Sequence, residues 1–234
     1  FQLWVSLNSI APLEDSDYGV LFTHAELARA GETLYEDWSD YGPHYGADGL
    51  RFPLDRTFYP PFLTPILSLV TGWGAGPFAF VWTILLWAAY WAYAATLAKL
   101  AHGRVTFLAT IGWGVALFVL TFRWSQSAIN LGNVDPILWA AYGAALAYPG
   151  VRGIGFMSVT LVKLWGAWPL LFALVRREWR TVVTAVATFV VACAAVSLVL
   201  GPAEFANAFY SWFRHMLPAA GQGSFNPYNV SIPT

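Results

Sequence analysis

Residues 77–98, PFAFVWTILLWAAYWAYAATLA, run for twenty-two positions without a charge. At 1.5 Å per residue such a helix reaches about 33 Å, enough to cross a hydrocarbon core of about 30 Å. This stretch decides the fold class, an all-α, multi-pass transmembrane helical bundle.

Working outward, residues 105–122 and 181–203 are also uncharged and long enough to span. Residues 136–151 form a shorter run that crosses if Gly132 to Asp135 lie at the interface. Residues 1–10 read as the outer end of a truncated helix, so the chain is read as a fragment of a larger membrane domain. Within one membrane domain, 1–234, residues 11–60 form a first outer loop, 61–203 the membrane helices and 204–234 a second outer loop. Composition agrees: 58% of residues are hydrophobic and 11% charged, against about 25% charged in soluble domains. Aromatics make up 18% of the chain, and Trp and Tyr gather where a membrane meets water.

A net charge of −1 conceals an asymmetry. Ten of the 13 acids precede residue 61, while nine of the 12 bases follow it. No basic nucleic-acid footprint exists, and the single Cys193 excludes an intrachain disulfide. Lys99 and Arg104, Arg152, and Arg176, Arg177 and Arg180 mark three turns. Taken as cytoplasmic, they leave residues 11–60, 123–135 and 204–234 outside. No eukaryotic retention feature is present, which points to a prokaryotic plasma membrane with the polar face outward.

Residues 153–175 lie between two of those cytoplasmic turns and cannot be one simple crossing. They read as two half-spans meeting near Lys163, buried among neighbours. The alternative is a single crossing with the Arg cluster outside. In the outer loop, residues 18–30 (YGVLFTHAELARA) have helical apolar spacing and Gly31 as a stop, predicting an amphipathic helix along the membrane face. Tyr59-Pro60-Pro61 starts a second short helix, and residues 37–56 read as loop.

Four groups could carry chemistry. Glu14-Asp15-Ser16-Asp17-Tyr18 offers carboxylates at a membrane surface, suited to a general base, a cation or plain solvation of a turn. Asp15, Asp17 and His24 leave a divalent metal open without supporting one. Lys163 is a lone cation in an apolar run, either functional or snorkelling from a helix end. Residues 123–135 (RWSQSAINLGNVD), opening at Arg123, form a polar patch in which Asn133 caps a helix or meets substrate. Residues 224–234 (SFNPYNVSIPT) present Asn229 and Ser231 in an outer loop. No Gly-rich phosphate loop, Ser/His/Asp arrangement or paired-Cys motif is present, so an activated substrate would come from the lipid phase.

The order of Asp17-Tyr18, residues 25–31 (AELARAG), Leu34-Tyr35, Tyr59-Pro60-Pro61, Gly132-Asn133, Lys163 with Pro169, and the basic turn at residues 176–180 resembles one family. It is similar to the polyprenol-phosphate-mannose-dependent alpha-mannosyltransferases, membrane enzymes of the C-type (GT-C) glycosyltransferase fold. The likeness covers nearly the whole chain and lies in the order of short motifs. Asp17-Tyr18, with Ser16 and Asp15, also resembles the Asp-x-Asp-Tyr of the first mannosyltransferase of glycosylphosphatidylinositol assembly.

That resemblance implies an inverting transfer of a sugar, mannose in this family, from a polyprenyl-phosphate donor to an acceptor hydroxyl on a glycan or glycolipid. It implies Asp17 as catalytic base with Asp15 as its alternative, and Lys163, Tyr59, Asn133, Arg123, Asn229 and Ser231 as substrate-binding residues. Asn133 stands where the family has Gln, and the spacer from Lys163 to the proline is longer than usual. No cofactor is implied beyond the lipid-linked donor, and membrane lipid is the surrounding partner. The rival class is a lipid or sugar transporter or flippase, which would need a polar path through the bilayer rather than one outer cavity.

Overall fold

The computed structural model describes residues 17–31, 44–45, 51–52 and 59–221. Residues 1–10, Asp15, most of 37–56, Asn229 and Ser231 lie outside them.

Helix α1 (Asp17–Ala30) ends at Gly31, whose φ of +74° carries the chain out of the helix. A two-residue antiparallel ladder pairs β1 (His44–Tyr45) with β2 (Arg51–Phe52). Helix α2 (Leu63–Thr71) begins two residues beyond the paired prolines, after a turn closed by Phe62 N–H donating to Pro60 O at 2.7 Å. Then come α3 (Ala75–His102), α4 (Phe107–Leu120), α5 (Phe122–Asn130) and α6 (Asp135–Ala147). Helices α7 (Arg152–Val162), α8 (Ala167–Val175), α9 (Trp179–Leu200) and α10 (Pro202–Gly221) complete the described residues.

Among the described residues, α3 and α9 are long and apolar enough to cross a membrane, and α4 with α5 makes a third span if the bent pair counts as one. The run 105–122 is therefore not one straight crossing. It breaks at Thr121 and α5 leaves at 93° to α4. Thr121 Oγ1 bonds the Leu117 carbonyl and Ser125 Oγ, each at 2.7 Å, and so holds the corner. Likewise α6 has only 13 residues, about 20 Å of helix, too short to cross alone.

Helix α1 is not an amphipathic helix along the membrane face. Tyr18, Leu21, Phe22 and Ala25 belong to the main core, with Phe78, Ala79, Trp82 and Leu86 of α3 and Ile129, Val134, Leu138 and Val159. Apolar side chains on nearly every face of α1 favour burial on all sides over a half-wetted position. Helix α10 likewise replaces the beginning of the expected second outer loop. Its Ala208 and Trp212 close over Leu27 and Ala28, residues that α1 alone leaves uncovered.

Neighbouring helices fix which ends share a level. Trp82 of α3 donates to Gly132 O at 2.8 Å, and further along Gly143 of α6 lies against Tyr93 and Thr96 of α3. The two helices are thus parallel. Gly155 of α7 lies against Ala141 and Ala145 of α6, so α7 returns antiparallel.

At Lys163 the backbone is extended (φ −139°, ψ 116°), and a 3-10 turn, Leu164–Gly166, folds back. Gly166 packs on Phe156 and Thr160; a continued helix would place residue 166 about 15 Å from residue 156. The segment 153–175 is therefore two helices meeting at Lys163, as the lone cation suggested. The expected burial of both is corrected for α8. Only Ala173 is buried there, while Trp168, Leu171, Phe172 and Val175 are exposed. A helix bonds its own backbone and needs no neighbours for that.

Candidate active site

The reversal at Lys163 brings α7's last residues to the start of α6, beneath the first turn of α1. Tyr18 positions that turn. It is fully buried, its N–H donates to Leu131 O at 3.1 Å, and its hydroxyl bonds Thr83 Oγ1. Its ring lies flat against Gly132, where a Cβ would overlap the ring. Gly132 also has φ +76°, so both the close approach and the backbone require glycine there.

With Tyr18 held, its neighbour Asp17 faces residue 133. The Asn133 side chain stands beside the Asp17 carboxylate and favours its charged form. Asn133 Oδ1 accepts from the Asp135 N–H at 3.0 Å and from Lys163 Nζ at 3.4 Å. Since the amide oxygen serves those donors, the amide NH2 is the group available to Asp17. Asn133 thus satisfies the first N–H of α6 and stands between Asp17 and Lys163.

Lys163 is not a lone cation. Its ammonium donates to Asp135 Oδ1 at 2.6 Å and stands 5.8 Å from the centre of the Tyr59 ring, within cation–π reach. Each partner of the pair keeps 29% of its side-chain surface exposed, so the cluster is open to a ligand.

Burial raises the Asp17 pKa above the ordinary carboxylate value. The Asn133 hydrogen bond and the Lys163 charge oppose that shift, and the Asp135 charge adds to it. Burial, then the charges of Asp17 and Asp135, push the Tyr59 hydroxyl well above its usual value, so it stays a neutral donor. His24 is buried in α1 and held neutral, its pKa lowered to about 4 by burial. Among the described residues no three His, Cys, Asp or Glu side chains converge.

The structure therefore joins Asp17, Tyr59, Asn133 and Lys163. Arg123 is exposed on α5 and is not part of the bonded cluster. Asp135 is the member that the site reading of the sequence missed. Its only local signal is an acid before Pro136 at a helix start, which the helix dipole already explains; its partner is 28 positions away. The cluster can take a proton at a carboxylate of raised basicity and hold an anion at an ammonium, one carboxamide apart.

A model of glycosyltransferase family 87 matches residues 57–234. The chain belongs to that family. It is a glycosyltransferase with apolar membrane helices, and the transporter reading gives way to an enzyme. Tyr59, Asn133, Asp135 and Lys163 lie within the matched residues, and Asp17 precedes them. No curated protein and no solved structure matches the chain.

Proposed function

We propose that this family 87 enzyme moves mannose from a polyprenyl-phosphate donor to an acceptor hydroxyl by a single, inverting displacement. The carrying observation is that Asp17 and Lys163 flank the same carboxamide, Asn133. Asp17 takes the proton of the acceptor hydroxyl as its oxygen attacks the anomeric carbon. The bond from that carbon to the phosphate oxygen breaks, its electron pair leaves on the phosphate, and Lys163 meets the growing charge. A phosphate leaving group needs no second carboxylic acid of the kind glycoside hydrolases use. A β-linked donor then gives an α-linked product. The sugar and the lipid carrier rest on the ordered motifs shared with the mannosyltransferases.

The site faces outward in this reading. Lys99, Arg104, Arg152 and the Arg176–Arg177 turn lie at or beside the helix ends opposite the Asp135–Lys163 end, and Lys and Arg favour the cytoplasmic side. The test is transfer of labelled mannose from a polyprenyl-phosphate donor by the protein in membranes. Transfer that Asp17→Asn abolishes with donor binding intact supports the reading. No transfer from any prenyl-phosphate sugar across a broad acceptor panel overturns it.

A further inference from the structure

We propose that Asp135 is a positioning residue of the transfer reaction, holding the Lys163 ammonium ready for the donor phosphate. The proposal rests on the role given to Lys163 above and extends it to an acid with no assigned part. Lys163 lies in extended backbone between two helices, so no helical turn of its own packs the side chain. A lysine has a flexible four-carbon stem and three N–H donors. Asp135 takes one donor at 2.6 Å and Asn133 a second at 3.4 Å, which leaves the third for a phosphate oxygen.

Asp135 is suited to this by its place in α6. Its backbone N–H is already satisfied by Asn133 Oδ1, and Pro136 follows with no N–H to cap. The carboxylate is released from capping and can serve the lysine. Helix α6 is itself fixed through Gly132, which receives Trp82 and carries Tyr18, so Asp135 presents a rigid anchor. An ammonium oriented before the donor arrives need not be reorganised as charge develops on the leaving group.

The test is a double-mutant cycle on mannose transfer with a polyprenyl-phosphate donor, each variant first shown folded by gel filtration and melting. Asp135→Asn keeps the shape and lowers kcat about 10-fold, and Asp135→Ala lowers it about 100-fold, as misplaced groups do. Donor KM changes less than either kcat. In a Lys163→Gln background Asp135→Asn changes kcat less than about two-fold, because the group it positions is gone. If Asp135→Ala does not fold, Asp135→Asn carries the cycle alone. Wild-type transfer with fully additive effects overturns this proposal and leaves the donor reading standing. A wild type that transfers from no prenyl-phosphate sugar overturns both.

Discussion

Arg152 Nη1 and Glu178 Oε2 meet at 3.1 Å although 26 residues separate them in sequence. The segment between them therefore leaves and returns at one end of the bundle. Each side chain is about one-third exposed, so the pair itself contributes roughly 0–1 kcal/mol. Its value is geometric, and Gly153 against Thr181 and Ala185 repeats the same juxtaposition.

This geometry predicts that residues flanking 153–175 are reached from one side of the membrane. Gly150→Cys and Arg176→Cys, each in a Cys193→Ser background, should react with an impermeant maleimide from the same face. Labelling from opposite faces would make the segment a single crossing.

Asp17 carries a pH prediction. Its raised pKa keeps this proposed base protonated above the ordinary carboxylate range, so kcat/KM should rise with pH through that raised value. Asp17→Asn should lower transfer by about 10²–10⁴-fold, the usual worth of a general base. Stability runs the other way. A carboxyl whose folded pKa is raised holds its proton more tightly when folded, so its stabilising contribution is lost as pH rises from about 4 through the raised value. Melting curves should then show Asp17→Asn gaining on wild type as pH rises. An equal difference at pH 4 and pH 7 would remove the buried-carboxylate account.

Gly132→Ala should disturb base and cation together. The left-handed backbone costs a non-glycine residue about 1–3 kcal/mol, and the new Cβ overlaps the Tyr18 ring that positions Asp17. Lower melting temperature and reduced transfer are expected in the same variant. Gly150→Ala is the control, because a Cβ there meets nothing within 4 Å, and it should leave both unchanged.

His24 predicts acid sensitivity. Its folded pKa of about 4 lies below the ordinary 6.5, so the unfolded chain binds the extra proton in between. Stability is complete above pH 6.5 and is lost as pH falls towards 4. The melting temperature in detergent should follow that course, and His24→Gln should flatten it. A His24→Gln variant with the wild-type pH dependence would assign the loss to other groups.

Much of the architecture was legible from local chemistry. Twenty-two uncharged positions specify a membrane helix because lipid cannot hydrogen-bond a loose backbone. The charge of Lys163 inside an apolar run marks the point where α7 ends and the chain turns back. Gly31 stops α1 because glycine tolerates positive φ.

The errors have a common source, since periodicity describes a helix but not what covers it. Helix α1 shows helical apolar spacing at Val20, Leu21, Leu27 and Ala28, yet its other faces are buried as well, under α2, α3 and α10. The corner at Thr121 depends on two hydroxyl bonds inside a run that hydropathy reads as continuous. Helix α10 lay hidden in a mixed polar segment because its apolar residues find partners far away in sequence, Ala208 and Trp212 on α1 and Phe205 and Phe209 on Phe62.

By itself, then, the sequence determined that the chain is a helical membrane protein, where its basic turns lie, and that Asp17, Tyr59, Asn133 and Lys163 are candidates. Those properties follow from side-chain solvation and backbone hydrogen bonding, which act residue by residue. Only the tertiary structure decided that Asn133 joins Asp17 to Lys163 and that Asp135 holds the lysine. Those contacts close over 116, 30 and 28 positions, and they exist because Gly132 lets Tyr18 pack and because the chain reverses at Lys163. Packing brings these residues to bonding distance, and nothing in their local sequence encodes it.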